Sequence, residues 1–146
     1  FTLITSNIDY KKIKSKNIEL IKGHWNKQLI SDEELRKIYS EASLSIIPIK
    51  NSYQPSGQSV ALQSMSMGVP VMITYTDGFW DKDIFDKQNI IFVEKNILSL
   101  WKKEIDKIMK DDQRKKMIAN NASEVVYSNY RSEIFYNKLK SILFFD

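Results

Sequence analysis

The chain has 146 residues, 27% of them charged and 42% hydrophobic, with nineteen lysines, three arginines and a formal net charge of +4. That length suits one domain with one real core, and the composition is that of an ordinary globular protein. With no cysteine and a single histidine, disulfides, thiolate catalysis and metal sites rich in Cys or His are excluded. No apolar run reaches membrane-spanning length and no signal peptide is visible, so the expected compartment is the cytoplasm. Six lysines precede residue 28, against Asp9 and Glu19 alone. Arginine, not lysine, dominates forks to bases and phosphates, so no nucleic-acid partner is expected. The lysines are read as solvating loops beside a phosphorylated ligand or an anionic membrane surface.

Phe1 to Thr5 is a β-branched run, and a chain that opens inside a strand is expected to be a piece of a longer protein. Ile18 to Lys22 reads as a second strand, closed by Gly23. Ser31-Asp-Glu-Glu34 is a capping-box-like helix start with acids where the helix dipole favours them. Leu35, Ile38, Tyr39 and Ala42 follow at helical spacing. Leu44 to Pro48 is a short strand of buried type, and the loop Ile49 to Pro55 leads into a helix. Val69 to Tyr75 and Asn89 to Val93 are further strands. Between them, Thr76 to Asp81 is a turn expected to open a short helix. From Asn96 onward the pattern is helical, with Leu98, Trp101, Ile105 and Ile108 on one face, then Ile118, Ala122 and Val125, then Phe135, Leu139 and Ile142. The aromatic stripe of Tyr127, Tyr130, Phe135 and Tyr136 reads as core packing.

Short apolar strands alternating with helices predict an α/β fold, a Rossmann-like parallel sheet with helices on both faces. In such sheets ligands bind at the carboxyl ends of the strands. That places the candidate site in the loops Gly23 to Asn26, Ile49 to Ser59 and Thr76 to Asp81.

Gln54 to Val71, QPSGQSVALQSMSMGVPV, contains no charged residue. If Ser56 caps the helix and Gly57, Gln58 and Ser59 form its first turn, free N–H groups carry the positive end of the dipole outward. Gly57 would leave room for a close approach, and phosphate is the natural guest. Small residues at Ala61, Ser64, Ser66 and Gly68 would let the helix pack tightly on the sheet. A helix capped and packed in this way with nothing bound accounts for the same residues. Asp81-Lys-Asp83 has the D-x-D spacing of a divalent-metal motif, but acids after a turn also suit a helix start, and that is the expectation here.

Gln63-Ser-Met-Ser-Met-Gly-Val-Pro-Val71 resembles the E-A-M-A-x-G-x-P-V segment of the nucleotide-sugar-binding domain of GT-B glycosyltransferases, in particular the retaining family four. Tyr39-Ser-Glu-Ala42 with Leu44 to Pro48, and Asp112 to Met117 with Ala122, are similar to other segments of that family in the same order. Gln54 to Val60 with Gly78-Phe-Trp-Asp81 resembles a bacterial subgroup. The resemblance covers residues 18 to 140. It implies the C-terminal, donor-binding half of a GT-B enzyme lacking its first strand and helix, residues 1–146 forming one donor-domain fragment.

The implied activity is retaining transfer of a sugar from a nucleoside diphosphate sugar in bacterial surface-polysaccharide or glycan synthesis. No metal is implied. The implied partners are a nucleotide sugar, the N-terminal acceptor half of the same enzyme, and the inner membrane face as a peripheral site. The family places two glutamates seven residues apart at this helix, the first against the donor sugar and the second against the ribose. Here the second position is Gln63, whose amide both donates and accepts, and the first is Pro55, which has no polar side chain. The resemblance also puts His24 and Trp25 near the nucleotide base and Gly78 in a loop against the donor. A loop anchored by its tryptophan accounts equally for His24-Trp25-Asn26. A GT-B nucleotide-sugar epimerase and a non-catalytic nucleotide- or protein-binding module are the alternatives.

Overall fold

The computed structural model describes residues 1–5, 15–22 and 30–143. The chain divides into two compact units, Phe1–Glu41 and Ala42–Asp146. In the first, β1 (Thr2–Thr5) and β2 (Glu19–Lys22) pair in parallel, with Leu3 opposite Leu20 and Ile4 opposite Ile21. The expected capping box opens α1 (Asp32–Glu41). Ser31 N–H donates to Glu34 Oε2 at 2.8 Å, and Glu34 N–H donates back to Ser31 Oγ at 3.1 Å. Those bonds, the backbone one first, hold the Glu34 carboxyl below the usual carboxylate range.

The second unit contains β3 (Ser45–Ile47), α2 (Gln58–Ser66), β4 (Val71–Thr74), β5 (Ile91–Val93), α3 (Leu98–Met109), α4 (Asp112–Asn129) and α5 (Ser132–Leu143). Its sheet is parallel in the order β3-β4-β5, with Ile47 and Phe92 flanking Ile73. All four residues of the central strand β4 are buried, which is why Val71, Met72 and Ile73 run apolar in succession rather than alternating. Side chains alternate across the strand. Val71 and Ile73 join Ile47, Ala61 and Met65 of α2 and Ala122 of α4 on one face. Met72 joins Ile91, Val93, Trp101 and Ile108 of α3 and Ile118 of α4 on the other. The sheet is therefore covered on both faces, and α4 contributes to both layers.

Three expectations fail. No helix follows Asp81; the segment is a pair of turns. Asp86 Oδ1 accepts from Gln88 N–H at 2.8 Å, and Asn89 Oδ1 accepts from Asp86 N–H at 3.1 Å. These side chains take the bonds a helix would have made. Leu98 is also not on the buried face of α3, being 84% exposed. Finally, Tyr127, Phe135, Tyr136 and Ile142 are exposed rather than core, and Tyr130 alone of the aromatic stripe is half-buried and packed on a core cluster.

Candidate functional site

Two loops leave the carboxyl end of the sheet, Pro48 to Gly57 after β3 and Tyr75 onward after β4. They are zipped together. Ile49 N–H donates to the buried Thr74 Oγ1 at 3.1 Å. Asn51 bonds twice to Asp77: its Nδ2 donates to Asp77 Oδ2 at 2.8 Å, and its Oδ1 accepts from Asp77 N–H at 3.0 Å. Gly78 N–H donates to Ser52 O at 2.7 Å. A Cβ on Gly78 would lie 2.3 Å from the backbone carbon and oxygen of Tyr53, so a glycine lets the two backbones meet.

The residues after Gly78 anchor this junction. Phe79 and Trp80 are buried and stacked, ring centroids 4.2 Å apart. Asp81 adopts φ +42, uncommon for a residue with a Cβ, and its Oδ2 accepts from the Tyr130 hydroxyl of the α4 C-cap. Burial, then the bond to Asp81, pushes the Tyr130 phenol well above its ordinary range. Asp81-Lys-Asp83 thus does not start a helix; among the described residues no group of three or more His, Cys, Asp or Glu side chains is placed to hold an ion. Lys82 Nζ donates to Asp77 O at 2.9 Å.

The β3 loop delivers the chain into α2. Ser56 is not the cap: its hydroxyl donates to Gln54 O at 3.4 Å. Gly57 holds the N-cap position at φ 75 with no side-chain cap bond, and the first helical bond runs from Ala61 N–H to Gly57 O at 2.9 Å. The N–H groups of Gln58, Ser59 and Val60 are therefore donors without a helical carbonyl. The glycine also has a different reason from the one expected. A Cβ there would lie 2.9 Å from Ile47 Cγ2 and 3.3 Å from Ile73 Cδ1, so the close approach is by the protein's own core. Of the small residues in this stretch, Ala61 and Ser64 are fully buried, Ala61 in the cluster with Ile47, Val71 and Ile73, whereas Ser66 and, beyond the helix, Gly68 are exposed.

No protein-family model matches the sequence, and no curated protein matches it. Solved structures do match. The chain superposes, over 86% of its length, on 29% of sucrose-phosphate synthase (tll1590) from Thermosynechococcus elongatus, with TM-score 0.69 and 19% identity. It superposes over 88% on 32% of Anabaena Alr3699/HepE, solved with UDP and glucose, with TM-score 0.68 and 14% identity. It superposes over 80% on 55% of the C-terminal domain of the glycosyl transferase group 1 protein LpcC from Francisella tularensis, with TM-score 0.63 and 21% identity. The fold is that of the C-terminal half of a GT-B glycosyltransferase. The chain spans about a third or less of the first two proteins.

In this fold Ser56, Gly57, Gln58 and Ser59 sit together in the loop from β3 into α2, and Gly78 is held at the β3 loop by Ser52. Gln63 lies farther along α2 with an exposed side chain. His24 and Trp25 lie outside the described residues. Sequence reasoning missed the Asn51–Asp77 pair: the partners are 26 residues apart, and no local pattern links them.

Proposed function

We propose that this chain is the donor-binding half of a retaining glycosyltransferase acting in bacterial surface-polysaccharide or glycan synthesis, at the cytoplasmic side of the inner membrane. One observation carries the reading. Two loops at the carboxyl edge of a GT-B sheet are fixed to each other, and one of them feeds three unpaired amides of α2 into that edge. Ligands of open parallel sheets bind at such edges, and phosphates suit helix N-termini.

The diphosphate of a nucleotide sugar then lies against the N–H groups of Gln58, Ser59 and Val60, with Gly57 and Ser56 at the rim. As the sugar–phosphate bond breaks, negative charge grows on the leaving diphosphate, and preorganised amides stabilise it more than they do the ground state. Gln63 follows Gln58 by five residues, so it lies about 7.5 Å farther along the helix axis, a separation suited to a ribose beside its diphosphate. No metal enters the reading. Gly78 is assigned to the loop over the donor. The acceptor site belongs to the N-terminal half, so this chain alone binds donor without transferring sugar. Pro55 at the first glutamate position favours a second reading, a nucleotide-binding module without transferase activity.

Calorimetry with UDP, UDP-glucose and uridine tests binding, on wild type and Ser59→Glu. A carboxylate in the first turn favours the helix dipole but repels an anion. The substitution leaves melting temperature level or higher, weakens UDP at least about tenfold, and spares uridine. Equal affinity for UDP in both proteins would sink the phosphate assignment. Turnover by the longer protein separates enzyme from module.

A further inference from the structure

The turn that contains Gly78 is held at both ends. At one end Gly78 N–H donates to Ser52 O at 2.7 Å, and Asn51 bonds twice to Asp77. At the other, Asp81 Oδ2 accepts from the hydroxyl of Tyr130, 49 residues along the chain. Between these points Phe79 and Trp80 form a buried wedge, with Phe79 edge-on to Phe85 and Phe92. Trp80 Nε1 is buried without an acceptor, so packing holds its ring and no hydrogen bond of its own fixes it.

Among the described residues Asp81 is the one residue other than glycine with a positive φ. A left-handed residue with a Cβ persists where its surroundings over-determine it, and such outliers gather at functional sites. Three bonds hold this one. Its carbonyl accepts from Ile84 N–H at 3.0 Å and from Phe85 N–H at 3.2 Å, and its carboxylate accepts from Tyr130. The two backbone bonds are local to the turn. Tyr130 belongs to the body of the domain. At the α4 C-cap its N–H donates to Val126 O at 2.9 Å, and its ring stacks on the buried Phe85 with centroids 6.0 Å apart. Helix α4 in turn carries Ala122 into the cluster with Ile47 of β3 and Ile73 of β4. The hydroxyl thus ties the strained end of the turn to a helix whose place the sheet sets.

We propose that Tyr130 is a positioning residue for the donor site: through Asp81 it fixes residues 76–80, so that Gly78 stays seated on Ser52 and Tyr53 and the β3 loop delivers α2 with its amides in place. In this role, which rests on the donor-binding reading above, Tyr130 itself contacts no ligand.

Hydrogen exchange and calorimetry with UDP test it together, on wild type, Tyr130→Phe, Asp81→Asn and Asp81→Ala. Tyr130→Phe keeps the ring and removes the hydroxyl. Exchange at the Gly78 amide then quickens by a larger factor than at the amides of β4, and UDP binds about fivefold more weakly. Saturating UDP restores the protection of Gly78. Asp81→Asn keeps an oxygen for the hydroxyl and a residue that tolerates positive φ, so it stays close to wild type in both measurements. Asp81→Ala loses both features and matches or exceeds the effect of Tyr130→Phe. Unchanged Gly78 exchange and UDP affinity in Tyr130→Phe overturn the positioning role and leave the donor site standing. Equal quickening at Gly78 and at β4 overturns it too, because the bond would then serve global stability alone. Wild type without affinity for UDP overturns the donor site itself, and the positioning role with it.

Discussion

Asn51→Ala cuts a side-chain link between the two loops that uses a carboxylate, and its cost can be bounded. Two hydrogen bonds are lost, one between neutral groups and one to the Asp77 carboxylate. Such bonds contribute about 0.5–1.5 and 1.5–3 kcal/mol respectively when well shielded. Both residues are exposed, so water replaces much of each bond. Gly78 N–H still holds Ser52 O, and a total near 1 kcal/mol is expected. The loops loosen without separating, and a nucleotide must then restore their order on binding. A cost of about 1 kcal/mol is about fivefold in dissociation constant. UDP binding by calorimetry should therefore weaken several-fold, with a small drop in urea midpoint.

Asn51→Asp is harsher. The Nδ2 that now stands 2.8 Å from Asp77 Oδ2 becomes an oxygen, and two carboxylates face each other. Combining it with Asp77→Asn restores a donor and an acceptor in mirrored order. The double variant should recover most of the affinity lost by Asn51→Asp, a coupling of about 0.5–3 kcal/mol. If the two single effects simply add, the loops are not coupled through this pair and the preorganisation reasoning is refuted.

Gly57→Ala should destabilise the fold by about 2–3 kcal/mol, combining the left-handed backbone with the 2.9 Å approach to Ile47 Cγ2; urea unfolding measures it, and a neutral result would contradict the steric account. Gln63 is exposed, so Gln63→Ala should leave stability unchanged yet weaken UDP several-fold, as one neutral hydrogen bond of about 0.5–1.5 kcal/mol requires. Deoxy-UDP should lose that difference, and identical binding of both ligands by wild type and variant would reduce Gln63 to a surface residue. Tyr130 has its phenol held neutral by burial and by Asp81. Its contribution to stability is complete below about pH 10 and is lost as pH rises above the unfolded value. Tyr130→Phe should therefore lose stability at neutral pH and show a shallower alkaline decline; parallel pH profiles would exclude the assignment.

What the sequence discloses is what neighbouring residues decide. The Ser31–Glu34 box lies within one turn, and the strands around Ile47, Ile73 and Ile91 are short apolar runs that supply buried residues to the core. The start of α2 is legible in Gly57, but the sequence alone points to Ser56 as the cap, because which residue turns left-handed depends on where Ile47 sits. The same blindness made a core contact look like room for a ligand. The missing helix after Asp81 turns on Asp86 and Asn89 bonding to nearby backbone, which propensity does not weigh. Periodicity in α5 correctly announces an amphipathic helix but says nothing of what its apolar face meets. The spacing reads as core, and the face is exposed.

On the proposed reading, the opening of α2 accounts for an uncharged stretch in so charged a chain. A lysine at the same edge would bring a full charge on a flexible stem, and ordering that stem on binding costs up to about 2 kcal/mol of rotamer freedom. Amides fixed by a helix bring partial charges that are already aimed. The neighbouring ionic groups are committed within the rim: Asp77 Oδ2 accepts from Asn51, and Lys82 Nζ donates to Asp77 O. Because Gly57 rests against Ile47 and Ile73, the aim of those amides is set by the core of the sheet. The same packing that stabilises β3 and β4 thus positions the donors, and a polar or bulky residue at Gly57 would disturb both at once.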